Sequence, residues 1–369
     1  MKKEEKDKLM KEYGIYHFRV PTLFERENAM GLFGETSTFY KIISHHYKWF
    51  YTPIPAPGQN DWLMNHKEYG QTFLEYTKFG YSLVPPNKNV IYIAPLTFNI
   101  NDSLDENFIT ALILICQSYF HDMKVKRLDM SIDLESVEYR EFEGGKYQLN
   151  ANTIIEKIFN QAPNDCFCLI SITDIDLYND ERVIKPRSYI YVPDPYKNDF
   201  CYELNSFKHK VGLISIYRFD PLYIIEDAPE NENVKIQMYF ILLKRVAKTV
   251  LKNVAHMFGL KNCIYFKCLM NGFGNMSEFD KRPFEVCPVC LRKLFTNISR
   301  AGERLEEGRV KNYHIILDRF KIIKECLEEN FPGLFDTEVD WYRKRIKDIN
   351  EELFGKSTED EKEKGKVDT

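Results

Sequence analysis

Four cysteines lie close enough in the sequence to bind one metal ion together. Cys263 and Cys268 are separated by four residues, Cys287 and Cys290 by two, and eighteen residues lie between the pairs. Short loops within each pair place two thiolates on one side of a tetrahedral ion, and the longer loop brings the second pair opposite. Four thiolates leave Zn²⁺ no open position, so we expect one structural zinc here. The alternative is four unrelated buried thiols.

A second group of polar residues precedes the cysteines, in the stretch "VLKNVAHMFGLKNCIYFKCLM". Lys252 and His256 are four residues apart and therefore share one face of a helix, with Asn253 beside them. Gly259 suits the left-handed residue that ends a helix, and Asn262 follows three residues later. One histidine provides little of the chelate stability of three ligands, so we expect His256 to be a packed core residue.

These residues together resemble the active-site region of the archaemetzincins, a family of zinc metallopeptidases. The family pattern runs H-E-x-x-H-x-x-G-x-x-H, then Cys, four residues, Cys, one residue and Met, and later Cys-x-x-Cys. The four cysteines and Met270 follow here in the family's order. The likeness extends upstream over "DWLMNHKEYGQTF", "FCLISITDIDLY" and "VGLISIYRFD", and it covers roughly residues 35–300.

The resemblance implies the fold of a metzincin without its chemistry. Lys252 stands where the family has its first zinc-binding histidine, Asn253 where it has the glutamate base, and Asn262 where it has the third histidine. An ammonium repels Zn²⁺, an amide is a poor zinc ligand, and Asn cannot take the proton of a metal-bound water. We therefore expect a pseudo-metallopeptidase, with four degenerate positions, no catalytic residue and no catalytic zinc. The degenerate positions are Lys252, Asn253, His256 and Asn262, and Met270 of the Met-turn is expected to remain as packing.

A binding function follows from the same resemblance. The composition, rich in Lys, Asn, Ile, Tyr and Phe, and the lost site together resemble the archaemetzincin-like ribosome dormancy factors of the microsporidian type. That likeness implies a factor that binds rRNA on idle ribosomes and blocks sites used by tRNA or mRNA. Two alternatives remain open. One is a zinc metallopeptidase with an unconventional site, recruiting for example His209 or Asp174, and the other is a pseudoprotease that holds a peptide in the vacated cleft.

Positive charge is concentrated around the cysteines. Residues 241–300 contain eleven cations and three anions, a net +8 in a chain of formal charge −4, so the remainder carries −12. Four thiolates on one Zn²⁺ reduce the local charge to about +6. Cations position a protein on phosphates and aromatic rings stack on unpaired bases, although a solvated surface has the same composition. The candidate RNA contacts are Lys244, Arg245, Lys248, Lys281, Arg282, Arg292, Lys293 and Arg300.

Size and composition fit an intracellular protein. The chain has 369 residues and an odd number of cysteines, nine, which favours reduced thiols and a metal site over a disulfide framework. The start, "MKKEEKDKLMKEYG", has no apolar stretch typical of a secretory signal. No apolar run approaches the roughly 18 residues of a membrane helix. We expect a cytoplasmic protein with no membrane partner and no small-molecule cofactor.

The elements that position these residues alternate between strands and helices. Strands are predicted at "NVIYIAPL", "KVKRLDMSID", "FCLISITDIDLY" and "VGLISIYRF", and a long helix at "VKIQMYFILLKRVAKTVLKNVAHMFG". This pattern indicates an α/β fold with a metzincin-like mixed, twisted sheet, a long active-site helix and additional C-terminal helices. We divide the chain into a charged leader (1–20), an aromatic and Pro-rich segment on the body (21–90), a pseudo-peptidase domain (91–300) with the zinc knuckle at 263–290, C-terminal helices (301–355) and a disordered tail (356–369).

Overall fold

Strands and helices alternate through the middle of the chain. The structure, a computed structural model, describes residues 18–31, 46–80, 84–85, 87–98, 104–142, 146–179, 200–224, 230–298 and 311–354. The strands are β1 Val90–Thr97, β2 Lys124–Arg127, β3 Met130–Ser131, β4 Tyr139–Phe142, β5 Lys146–Asn150, β6 Cys166–Thr173, β7 Leu177–Tyr178, β8 Glu203–Ser206 and β9 Val211–Ser215. Much of the predicted leader and tail lies outside the described residues.

The helices frame this sheet and continue beyond it. They are α1 Leu23–Met30, α2 Tyr47–Phe50, α3 Trp62–Asn65, α4 Phe73–Glu75, α5 Glu106–Tyr119, α6 Ala151–Asn160, α7 Glu232–Met257, α8 Met276–Asp280, α9 Pro288–Ile298, α10 Lys311–Asn330 and α11 Asp336–Phe354. A π-helical turn, Tyr76–Gly80, continues α4. Within the described ranges, no helix is long and apolar enough to cross a membrane.

The main sheet is mixed, as predicted. Its strand order is β2-β1-β6-β9-β8, and β3 pairs with the distal end of β1. Every pairing along this order is parallel except that of β8, which runs antiparallel to β9 at the edge. The fold class is therefore α/β.

Both faces of the central strands are buried, which explains why they read as continuous apolar runs rather than as alternating ones. On β1, Ile91 and Ile93 join the larger core with α5 and α7. The alternate residues Val90 and Tyr92 join a second core with α6. Successive side chains of this strand thus pack against helices on opposite faces of the sheet.

The long helix α7 carries the residues of interest at its C-terminal end. Its 26 residues begin at the N-cap Asn231, whose side chain accepts a hydrogen bond from the Asn233 amide. The first half is largely exposed, and the half from Leu243 onward is buried between the sheet and the C-terminal helices. Gly259 follows with φ of 91°, as expected for a residue that ends a helix.

A buried carboxylate joins the C-terminal helices to the cysteine region. Glu285 accepts hydrogen bonds from Arg319 of α10 (2.8 Å), Tyr342 of α11 (2.6 Å) and Tyr119 of α5 (3.1 Å). Glu285 lies two residues before Cys287, so the three helices and the cysteine loop share one polar centre. Such a cluster is stable only when the buried charge is paired and hydrogen-bonded.

Candidate functional site

The four cysteines come together as the spacing predicts. Their sulfur atoms all lie within 4.8 Å of one another, and all four residues are buried. Cys263 Sγ lies 3.6 Å from Cys287 Sγ, close to the roughly 3.8 Å between two ligands of a tetrahedral Zn²⁺ with 2.3 Å bonds. The donor set, four thiols at this spacing, fits zinc.

Local structure explains why the cysteines converge. Cys287 precedes the first residue of α9, Pro288, a position where the missing proline N–H costs no helical hydrogen bond. Cys268 Sγ accepts from the amides of Cys287 (3.2 Å) and Met270 (3.4 Å), and Cys263 N donates to Met270 O (2.9 Å). Met270 is fully buried beneath this loop. These bonds fix the conformation of the loop that carries the cysteines.

The pKa values of the thiols in the cluster are shifted in different directions. Burial raises the pKa of the Cys268 and Cys287 thiols well above the usual range. Burial also opposes ionisation of Cys263, but hydrogen bonds from the three other thiols hold its pKa well below the usual value.

A buried ion pair lies at the end of α7. Lys252 is 5% exposed, and its Nζ lies 3.3 Å from Glu203 Oε1 on the edge strand β8. Burial raises the pKa of Glu203, but the neighbouring charges of Lys252 and Arg282 more than offset this and lower it overall. Burial lowers the pKa of Lys252, and Glu203 opposes that shift. The strand and the helix are thus joined by opposite charges.

The two asparagines on either side of Gly259 are also engaged. Asn253 is fully buried, and its Oδ1 accepts a hydrogen bond of 2.9 Å from Asn205 Nδ2 on β8. Asn262 Nδ2 donates to Glu68 Oε1 over 2.7 Å. Glu68 also accepts from Trp62 Nε1 over 2.9 Å, so residues 62–68 of the N-terminal part are joined to the end of the motif.

His256 is held by the backbone. Its Nδ1 lies 2.6 Å from Leu260 O, which fixes the proton on Nδ1 because a carbonyl oxygen can only accept. Burial lowers the pKa of His256 to about 4, and the charge of Lys252 adds to the effect. The imidazole is therefore neutral near pH 7, as expected for a packed histidine.

Comparison with known proteins identifies the family. Residues 207–296 match the profile of Peptidase family M54. Archaemetzincin-2 of Homo sapiens is 32% identical over 262 residues, which cover 66% of this chain and 69% of that protein. The chain belongs to the archaemetzincin family. Archaemetzincin-2 of Rattus norvegicus is 30% identical over 264 residues, with the same coverage.

Two solved structures with the same family name are also similar to this chain. Archaemetzincin from Methanopyrus kandleri is 17% identical, covers 59% of this chain and is itself covered completely, with a TM-score of 0.41. Archaemetzincin from Archaeoglobus fulgidus, complexed with malonate, is also 17% identical. The match covers 55% of this chain and 99% of the Archaeoglobus chain, with a TM-score of 0.37. The family as a whole is one of zinc peptidases.

Half of the predicted RNA contacts are wrong, because their side chains are buried and used internally. Lys248 donates to Arg282 O (2.6 Å), and Arg282 donates to Asn271 O (2.9 Å). Arg292 donates to Gly31 O (3.0 Å), and Lys293 donates to the Gln71 backbone carbonyl. Buried polar groups need hydrogen-bond partners, and these four side chains find theirs in carbonyl oxygens of the same chain. The residues removed from the RNA surface are Lys248, Arg282, Arg292 and Lys293.

The other four predicted contacts differ among themselves. Lys244 pairs with Glu338 of α11 (2.7 Å), and Arg245 pairs with Asp280 (2.7 Å), so both help to hold the helices together. Lys281 is exposed, and Arg300 lies outside the described residues.

The residues considered for an unconventional metal site do not form one. The exposed His209 packs its ring on Phe159 (4.2 Å between centroids), and Asp174 is exposed after β6. Among the described residues, the four cysteines are the one group of three or more candidate ligands. Sequence reasoning missed Glu203, Asn205 and Glu68, which are the partners of the motif residues. They lie far from α7 in the sequence, and nothing in their local pattern indicates the contact.

Proposed function

We propose that this archaemetzincin is not a peptidase and acts as a binding factor. The observation that carries the proposal is the ion pair between Lys252 and Glu203. A catalytic zinc needs three protein ligands and an open position. Here an ammonium, already paired with a carboxylate, stands at the first ligand position of the family motif, and the third position holds the amide of Asn262. The base position holds Asn253, which cannot accept a proton from water.

The cysteine cluster holds one zinc with a structural role. All four ligands are protein thiolates, so the ion has no position for a water or a substrate carbonyl. The ion stabilises the loop between α7 and α9, which the backbone bonds around Cys268 already shape.

The ribosome is the proposed partner, and an idle one in particular. The support is the likeness to ribosome dormancy factors in composition and in the altered motif. The factor would occupy sites on rRNA that tRNA or mRNA use, and would need no chemistry to do so. A peptide-holding pseudoprotease is less well supported, since Glu68 of the same chain already bonds to Asn262 of the motif.

Two measurements on the purified full-length chain test this proposal. We expect one zinc per chain and no cleavage of unfolded protein substrates, with or without a chelator. Hydrolysis that a chelator abolishes contradicts the loss of catalysis. We also expect the chain to sediment with ribosomes, and binding to weaken steeply as salt rises, because neutralised phosphates release counterions. Absence of sedimentation, or binding insensitive to salt, contradicts the ribosome as partner.

A further inference from the structure

Three exposed aromatic rings lie in the N-terminal part of the chain. Trp49 and Tyr69 are each 76% exposed and Phe79 is 86% exposed, the highest values for large apolar side chains in the described residues. Soluble proteins expose large rings singly and without consequence, so three rings need a common cause before they indicate a site.

The chain segments that carry these three rings pack against the same part of the chain, residues 259–266. The ring of Tyr47, two residues before Trp49, packs edge-on against Phe266 at 6.0 Å. A Cβ on Gly70, next to Tyr69, would lie 2.8 Å from Ile264 Cδ1.

At Gly80, next to Phe79, the carbonyl oxygen lies against Gly259. The backbone segments that carry the three rings therefore contact residues 259–266 one after another. That stretch spans at most about 25 Å when extended, a length that suits a short run of unpaired nucleotides.

Contacts with neighbouring residues hold the segments that carry the rings in place. Tyr76 is fully buried and donates a 2.9 Å hydrogen bond to Phe258 O, which anchors the π-helical turn that ends beside Phe79. One face of Trp49 stacks on His46 at 4.0 Å. The ammonium of Lys67 lies 5.0 Å from the centre of the Tyr69 ring. A ring held in place loses little conformational freedom when a base stacks on it.

Exposed lysines accompany the rings. In residues 46–80 and 259–267 there are five cations and three anions, a net +2, and all five lysines are exposed, although Lys48 also lies 3.8 Å from the carboxylate of Glu27. The three carboxylates already serve the fold: Asp61 accepts from Gly58 N, Glu68 from Asn262 Nδ2, and Glu75 from Thr72 N. We call the following residues the aromatic strip: Trp49, Tyr69 and Phe79 with Lys48, Lys67, Lys78, Lys261 and Lys267.

We propose that the aromatic strip binds unpaired RNA, with bases stacked on the three rings and phosphates beside the lysines. The inference rests on the proposed ribosome-binding function and gives it a contact surface. Stacking on exposed rings flanked by cations is the general way in which proteins bind single strands. Charge decides between RNA and an apolar protein partner, because a net positive strip gains from phosphates and gains nothing from an apolar face.

The test uses the full chain and a variant with three substitutions, Trp49→Ala, Tyr69→Ala and Phe79→Ala. The probe is a fluorescein-labelled 12-nucleotide oligouridylate, followed by anisotropy, alongside sedimentation with ribosomes. We expect the triple variant to bind the probe at least about 100-fold more weakly, because each stacked base contributes about 5- to 150-fold in affinity. Replacing the five lysines with Gln should lower the slope of log K against log salt by up to about 3.5.

The matched control replaces three exposed rings elsewhere, with Tyr139→Ala, Tyr147→Ala and Phe207→Ala. These side chains are 64%, 58% and 55% exposed, and they lie outside the strip. We expect this control to keep the affinity of the unchanged chain. Equal loss in both triple variants overturns the proposal, because general surface apolarity then explains binding.

The remaining outcomes separate the strip from the proposed function. If the unchanged chain sediments with ribosomes and the strip variant does so equally well, the strip is wrong and the ribosome remains the partner. If the strip variant leaves the ribosome but the unchanged chain does not bind the oligonucleotide, a ribosomal protein is the occupant and RNA is overturned. If the unchanged chain binds neither, the proposed function itself fails.

Discussion

A Lys252→Met substitution removes one half of the buried pair with Glu203 and keeps the length of the side chain. The carboxylate is then left largely buried and without its cation, a change that costs about 3–5 kcal/mol in buried pairs. Glu203 retains 17% exposure of its side chain, which lets water reach it, so we expect the lower end, about 3 kcal/mol at pH 7.

The stability lost in the Lys252→Met variant should depend on pH in a direction set by the pKa of Glu203. In the unchanged chain the pKa of Glu203 is lowered overall, so its contribution is present above the ordinary carboxyl pKa and is lost as pH falls through the folded value. Without Lys252, burial raises that pKa. The carboxyl then takes up a proton at a higher pH than in the unchanged chain, so the cost of the substitution should shrink as pH falls from 7 to 4.

Urea denaturation followed by circular dichroism measures this in a double-mutant cycle. The variants are Lys252→Met, Glu203→Gln and both together. We expect the double variant to recover most of the stability, because neither charge remains buried alone. If the double variant loses the sum of the two single losses, the side chains do not interact and the reasoning about the pair is refuted.

Three further outcomes are expected. A Cys290→Ser variant should contain less than one zinc per chain by atomic absorption and should melt at lower temperature, since structural zinc contributes about 10–16 kcal/mol of apparent binding free energy. An Arg319→Met variant leaves the Glu285 carboxylate without a cation and should lose about 3–5 kcal/mol in urea denaturation at pH 7; an unchanged curve contradicts this. The pKa of His256, lowered to about 4, predicts that the unfolded chain takes up a proton below about pH 6.5 while the folded chain does not. The unfolding free energy should therefore fall by about 2–3 kcal/mol between pH 6.5 and 4, and a His256→Gln variant should lack this part of the fall.

The regular elements of the core could be predicted from the sequence because their patterns are local. The apolar runs that became β1, β6 and β9, and the periodic helix that became α7, lie where their side chains predict. The edge strand β8 was missed, since its four residues, all half-buried, show no alternation. The stretch "KVKRLDMSID" forms two short strands rather than one, because β2 and β3 pair with different ends of β1.

The site was predicted in part for the same reason. Cysteine spacing is a local property and led to the metal cluster. Whether a lysine is buried is not a local property. Lys293 and Lys281 have similar neighbours in the sequence, yet Lys293 is buried and bonds to the Gln71 carbonyl, whereas Lys281 is exposed. The difference arises from residues more than two hundred positions away, which no window of the sequence includes.

The motif glycine has a structural role that does not depend on catalysis. A Cβ on Gly259 would lie 1.8 Å from the Gly80 carbonyl oxygen, so any larger residue would push away the N-terminal part of the chain. The backbone there also has a positive φ that L-residues with side chains rarely adopt. Selection for a folded molecule alone would preserve this position. Its presence therefore does not by itself indicate hydrolysis, because the packing of the N-terminal part on this turn requires a glycine whether or not the chain is an enzyme.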